Sequence, residues 1–140
     1  MINLIRRIFN RLIGSENVRV NVYPNLAVGA NLVANVAAWT VGVYGNIVLA
    51  ALGLAETWLV GVFLENAAAV DNFQVEVAIG AIGAEVVIWR GALNSVDLTG
   101  AYYPLSVPIR IPAATRIAGR CASAAGAGAI VVKVQLATGL

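Results

Sequence analysis

The spacing of apolar residues changes once along this chain, close to residue 17. Residues 2–13 repeat apolar side chains at helical spacing and place polar side chains on the opposite face. The apolar stripe is formed by Ile2, Ile5, Phe9, Leu12 and Ile13, and the polar face by Asn3, Arg6, Arg7, Asn10 and Arg11. Gly14 then provides a natural C-terminal stop. The pattern predicts a short N-terminal amphipathic helix.

From residue 17 onward the repeat is two residues, the period of a strand with one buried face. Asn17 to Val22 alternates strictly before Pro24 and Asn25 end the run. Turn signals rich in Asn, Gly and Pro separate the further strands that we predict. These lie at roughly residues 27–36, 39–51, 57–65, 72–80, 85–90, 101–111, 115–120 and 129–136.

This succession of short strands predicts an all-β fold, a jelly-roll-like β-sandwich of about eight strands. We expect two parts: an N-terminal amphipathic helical arm over residues 1–16 and a β-sandwich domain over residues 17–140. A membrane-spanning helix is the alternative for the uncharged stretch between Arg19 and Glu56. Asparagines and glycines interrupt that stretch, and its most apolar part is rich in β-branched and aromatic residues, so strands are favoured.

The C-terminal strands carry further local signals. Residues 107–120 are predicted to form two adjacent strands that turn at Pro112–Thr115. Because proline cannot donate to a sheet ladder, Pro108 should lie at a sheet edge or in a bulge. The small residues from Cys121 to Ala129 are most simply a tight turn between the last two strands.

The composition adds a constraint on partners. Apolar residues make up 60% of the chain and charged residues only 11%, against roughly 25% charged in an average soluble domain. A lone domain of this size leaves about a third of its extended-chain surface exposed, and here much of that surface would be aliphatic. Large exposed apolar patches mark protein or membrane contacts. We therefore expect a homo-oligomer or a subunit of a larger particle.

The charges are unevenly distributed. Three N-terminal arginines and Glu16 account for the net charge of +2. The acids then cluster in the middle of the chain, as Glu56, Glu65, Asp71, Glu76, Glu85 and Asp97. Residues 101–140 carry only cations, namely Arg110, Arg116, Arg120 and Lys133. An acidic middle and a basic end can pair within one protomer or between neighbours.

The chain lacks the residues that most catalytic mechanisms require. The chain has no histidine, the commonest general base and metal ligand. Cys121 has no base to activate it, so a buried or turn cysteine is favoured over a nucleophile. Glu76 and Glu85 can meet across a hairpin as a carboxylate pair, but solvated surface charges are the favoured interpretation. We expect no enzyme activity, no cofactor and no metal site.

Other binding signals are weak. The arginines near the C-terminus have few aromatic residues close in sequence, so no specific nucleic-acid binding is expected. Trp39, Trp58 and Trp89 can form a sugar-stacking platform, but each lies in an apolar run, so a place in the core is favoured.

The N-terminal helix is the candidate partner-binding element. The residues we expect to make the contact are Ile2, Ile5, Arg6, Arg7, Phe9, Arg11 and Leu12. A neighbouring subunit or a particle is the favoured partner, while packing on its own domain and membrane contact through residues 2–13 are the alternatives. The arginines interrupt the apolar stretch, so no signal peptide is recognised.

The segment from Tyr103 to Arg120, followed by small residues and a Val-rich final strand, resembles the closing strands of decoration (cement) proteins of tailed-phage heads and similar β-sandwich virion proteins. The resemblance covers about forty residues and carries over no functional residue. It implies a symmetric oligomer, with a trimer favoured, terminal arms that lie across neighbours, and a place in the virion after assembly in the host cytoplasm.

These observations favour a non-enzymatic structural assembly protein, a capsid decoration or minor capsid subunit that oligomerises and stabilises a larger particle. One alternative is a carbohydrate- or receptor-binding β-sandwich module, which requires exposed aromatic residues beside polar ones. The second alternative is a protein that the N-terminal helix anchors to a membrane surface.

Overall fold

The computed structural model describes residues 19–25, 28–65, 67, 70–95 and 99–139. This part of the chain forms nine strands and one short 3-10 helix, Ala50–Leu52. In chain order the strands are β1 (Arg19–Tyr23), β2 (Ala30–Val33), β3 (Gly45–Val48), β4 (Thr57–Glu65), β5 (Asn72–Ile79), β6 (Val86–Asn94), β7 (Gly100–Ile111), β8 (Ile117–Ser123) and β9 (Ala129–Thr138). The predicted helix over 2–13, and with it the boundary of the arm, lies outside the described residues.

The strands form two antiparallel sheets. Sheet I has the order β1-β9-β4-β7, and β2 also pairs with β9, beyond the end of β1. Sheet II has the order β3-β8-β5-β6. The two sheets pack face to face through buried side chains of β4, β5, β8 and β9. The predicted all-β sandwich is confirmed.

The core consists of aliphatic side chains and one phenylalanine. Phe73, Val75 and Val77 of β5 are buried from sheet II, and Leu64 of β4 is buried from sheet I. The even-numbered residues of β9 between 130 and 136 face the same core, with exposed fractions of 0 to 1%. This alternation is the one that the period-two pattern predicted.

Four strands differ from their predicted bounds by three residues or more at one or both ends. The predicted strands 27–36 and 39–51 shrink to β2 and β3, because residues 34–44 form a loop whose backbone bonds partly to neighbouring segments. Strand β6 extends to Asn94. Strand β8 continues to Ser123, so residues 121–123 are not part of a turn, and the turn covers only residues 124–128.

The prediction for Pro108 is confirmed. Strand β7 is the outer strand of sheet I, and its pairing with β4 jumps from Ile109 to Pro104 at an irregularity beside Val60. Pro108 therefore lies in an unpaired stretch of an edge strand. The prediction of two adjacent strands over 107–120 is wrong in one respect, because β7 and β8 belong to different sheets. Residues 112–116 cross from one sheet to the other.

A matched pair of leucines tests where the core lies. Leu64→Ala should lower the free energy of unfolding by about 2–5 kcal/mol, because the side chain is fully buried and its removal leaves a cavity. Leu52→Ala, at a side chain that is 58% exposed, should change it by less than about 0.5 kcal/mol. Urea denaturation of both variants measures the difference, and equal losses would contradict this assignment of the core.

Candidate assembly surface

Sheet I presents a mostly apolar face to solvent. In β9 the even-numbered side chains fill the core, so the odd-numbered ones point outward, and the register extends this face across the neighbouring strands. We call it the outer apolar face and define it by the side chains of Val20, Val22, Val33, Trp58, Phe63, Tyr102, Pro104 and Val131. Val20, Val33 and Tyr102 are each about half exposed.

The cross-strand register aligns these side chains in rows. One row runs Val20, Ala137, Trp58 and Arg110, and the next runs Val22, Gln135, Gly61 and Pro104. Directly opposite residues of an antiparallel pair have neighbouring side chains. The face therefore extends across four strands, with Gln135 and Arg110 as the polar members of these two rows.

An aromatic pair lies at the centre of the face. The rings of Phe63 and Tyr102 stack with centroids 4.5 Å apart, and the Tyr102 hydroxyl donates to Gln135 Oε1 at 2.6 Å. A Cβ atom at Gly61 would lie 2.6 Å from the Tyr102 ring. Glycine at this position therefore lets the ring lie flat against β4.

The charged groups on this face are paired with each other. Lys133 forms an ion pair with Glu65, and Arg110 forms one with Glu56. Hydrogen bonding from Arg110 lowers the pKa of Glu56 below its ordinary value. Both acids are thus engaged within the protomer, and what the face offers a partner is apolar surface.

Sheet II has a different outer face. Glu76 of β5 lies between Arg90 of β6 and Arg120 of β8, at 2.8 and 2.6 Å. Burial acts to raise the pKa of Glu76, but hydrogen bonds from both arginines outweigh it, and the pKa is lowered. The Arg120 guanidinium also lies 4.5 Å from the centre of the Tyr44 ring. A shallow depression of about 360 Å³, with Gln74 and Ala92 in its lining, adjoins this cluster.

A second ion pair on sheet II is buried. Arg116 Nη1 lies 2.8 Å from Glu85 Oε1, and the two side chains are only 9% and 8% exposed. Arg116 Nε donates to Asn46 Oδ1 at 2.5 Å. Hydrogen bonding from Arg116 lowers the pKa of Glu85. The three residues connect β3, the β5–β6 turn and the start of β8.

The acidic middle and the basic end therefore pair within one protomer. Each of the four cations in residues 101–140 contacts an acid of the segment 56–85. Glu76 and Glu85 bind different arginines rather than each other. The favoured interpretation of these two acids as solvated charges is wrong, because their side chains are only 15% and 8% exposed.

Cys121 and Asp71 have structural roles. Cys121 is fully buried in β8, and burial raises the pKa of its thiol to about 11. Its Sγ lies 3.4 Å from the Leu32 carbonyl oxygen. The Asp71 carboxylate accepts hydrogen bonds from the backbone N–H groups of Asn72 and Ala125. Asp71 thereby joins two loops at one end of the sandwich.

The expectation of core tryptophans is wrong for Trp39 and Trp58. Trp39 is 52% exposed on the loop between β2 and β3, and Trp58 lies half-buried on the outer apolar face. Trp89 agrees with the expectation in part, because it is half-buried and packs against the core beside Gly91 and Tyr103, with ring centroids 5.5 Å apart for the aromatic pair. An apolar run alone does not distinguish the inward from the outward face of a strand.

The sequence interpretation also missed the outer apolar face itself. The available signal was β4, whose sequence from Thr57 to Leu64 contains no charged residue at all. A strand without polar alternation is apolar on both faces. The outward side chains of β4 therefore belong to the outer apolar face.

The predicted partner-binding residues of the arm lie outside the described residues, and these are Ile2, Ile5, Arg6, Arg7, Phe9, Arg11 and Leu12. Over the ranges that the structure describes, no group of three or more metal-ligating side chains comes together. Within the same ranges, no helix is long and apolar enough to cross a membrane. No protein-family model matches the chain, and no curated protein matches it.

The buried ion pair between Glu85 and Arg116 makes the free energy of unfolding depend on pH. The pKa of Glu85 is lower in the folded chain than in the unfolded one, so its contribution is present above the unfolded pKa and is lost as pH falls through the folded pKa. Glu85→Gln should destabilise the protein at neutral pH, because Arg116 loses a buried counter-charge. It should also flatten the acid limb of the stability profile. Urea midpoints between about pH 7 and about pH 3 measure both effects.

Glu56→Gln is the matched control, because the Glu56–Arg110 pair is exposed and solvent screens it. Its effect at neutral pH should be the smaller of the two. If the stability of Glu85→Gln falls with pH as steeply as that of the unsubstituted protein, the Glu85–Arg116 pair does not cause the pH dependence.

Proposed function

We propose that this chain is a non-enzymatic structural assembly protein that forms homo-oligomers and stabilises a larger particle, as a virion capsid decoration or minor capsid subunit. The outer apolar face carries the proposal. It extends across the four strands of sheet I, and the acids on it are already paired with cations of the same chain. A surface of this kind is suited to burial against protein, at about 25 cal/mol per Å² of apolar area before the costs of association.

We further propose that the sandwich is a jelly roll. Strands β1 and β2 pair with successive parts of β9 and count as one interrupted strand. Numbered in this way from one to eight, the sheets have the orders 1-8-3-6 and 2-7-4-5, which is the order that two Greek keys produce. Jelly rolls occur in viral capsid proteins and in lectin domains, so the topology agrees with both of our candidate functions.

The state of the reactive groups supports a non-enzymatic role. Glu56, Glu76 and Glu85 are held in their ionised forms by arginines, whereas a general acid needs a raised pKa. The one thiol is buried and protonated near neutral pH. These groups serve the fold and the pairing of its strands.

The particle and the trimer rest on the resemblance to phage-head decoration proteins. In this proposal the protein is part of the virion, after assembly in the host cytoplasm. The N-terminal arm contacts a neighbouring subunit or the particle, and the sandwich presents the outer apolar face.

Truncation of the arm tests the assembly role. The full chain should sediment as an oligomer at micromolar concentration. Deletion of residues 1–14 should leave a folded β-domain with a cooperative thermal transition but with impaired assembly, because the helix supplies an apolar stripe and not the core. A full-length protein that stays monomeric and soluble would overturn the proposal. Loss of the thermal transition in the truncated protein would place the helix in the core.

A carbohydrate-binding module is the second candidate, and the exposure of Trp39 favours it. A tryptophan ring that is half in solvent can stack on a sugar. Under the assembly proposal we expect no binding when oligosaccharides are titrated and intrinsic fluorescence is recorded. Binding that disappears in Trp39→Ala and persists in Trp58→Ala would favour the carbohydrate-binding module instead.

A further inference from the structure

We infer that the outer apolar face of one copy is the docking surface for residues 2–13 of a neighbouring copy. The inference rests on the proposed assembly function, and it names the two surfaces that meet. The three observations that carry it are the chemistry of the face, its width, and the position at which the described chain begins.

The chemistry of the face selects an apolar occupant. The Tyr102 hydroxyl and the charged groups of the face already have partners, since Tyr102 donates to Gln135, Arg110 pairs with Glu56 and Lys133 pairs with Glu65. An occupant that covers them therefore needs to supply few polar groups. The stripe of the predicted N-terminal helix consists of aliphatic residues and Phe9, while its arginines lie on the opposite side and remain in solvent.

The dimensions also agree. Four strands spaced by about 4.8 Å give the face a width of about 14 Å. Twelve residues of helix are about 18 Å long, so a helix of this length can cross the strands from one edge of the sheet to the other. Its stripe then covers Trp58, the Phe63–Tyr102 pair and the valines of β1.

The direction of β1 favours a neighbouring copy. Arg19 pairs with Thr138, so the chain enters β1 from beyond the end of sheet I, at the same end as Trp58. A helix that crosses the strands of its own sheet must turn back over the face within residues 14–18. A helix that docks on a neighbour needs no such turn. An isolated helix of this length is only marginally stable in water, so it gains its stability from the surface that it covers.

Chemical cross-linking tests the contact in the full chain. One variant combines Leu12→Cys with Pro104→Cys, on the outer apolar face. The control combines Leu12→Cys with Ala92→Cys, which is exposed on the outer face of sheet II. The buried Cys121 has a pKa of about 11 and should not react. After treatment with a bismaleimide, we expect linked chains of two or three times the single-chain mass with Pro104→Cys and not with Ala92→Cys.

A measurement of self-association affinity tests the same contact without a cross-linking reagent. Phe9→Glu, on the stripe, should weaken self-association by about tenfold or more, because it removes one large buried side chain. Asn10→Glu, on the polar face, introduces the same charge and should weaken it much less. Sedimentation equilibrium compares the two variants.

The outcomes separate this inference from the proposed function. Links within single chains would overturn docking on a neighbour, and equal linking through Ala92→Cys would overturn the choice of face. Assembly that is intact without any link through Pro104→Cys, and with equal effects of the two glutamates, would overturn the inference while the assembly function stands. A monomeric full-length protein would overturn both.

Discussion

Strand β4 is apolar on both of its faces, and the rest of the structure depends on that constraint. Its inward side chains, such as Leu59, Val62 and Leu64, are completely buried in the sandwich. Its outward side chains, Trp58 and Phe63, stand in the middle of sheet I, between β7 and β9. A strand with both faces apolar needs cover on each side. The sandwich covers one side, and the other side becomes the outer apolar face.

The few charged residues that the structure describes mostly pair within the chain and do not serve contact with other molecules. Nearly all of the described acids hold arginines or a lysine from strands that are distant in sequence, as in Glu76 with Arg120 and Glu85 with Arg116. Such pairs fix which strands are neighbours, since a shifted register would leave a charge without its partner. The chain thus uses its polar residues for internal specificity and leaves apolar surface for contact with other molecules.

The fold was predictable to the extent that local sequence determines it. Alternation and turn signals identified the strands, with β4 predicted residue for residue as an apolar run between turns, and the missing N–H of Pro108 predicted its place at an edge. The pairing of strands was not predictable, because residues 107–120 read the same whether β7 and β8 share a sheet or face each other across the core. The prediction that Trp58 lies in the core failed for a related reason. Periodicity separates the two faces of a strand but does not show which face is buried when both are apolar. The outer apolar face could not be predicted from the sequence, because the register between strands determines which side chains share it.

The interrupted edge of sheet I has a consequence for how the chain avoids uncontrolled polymerisation. Strands β1 and β2 divide one side of β9 between them, and neither exceeds five residues. The opposite edge, β7, carries two prolines and an unpaired stretch. Neither border of the sheet therefore offers a long, regular row of free backbone groups on which another chain could add a strand. A protein with so much apolar surface can in this way associate through the face of sheet I and still avoid growth into fibres through the edges of that sheet.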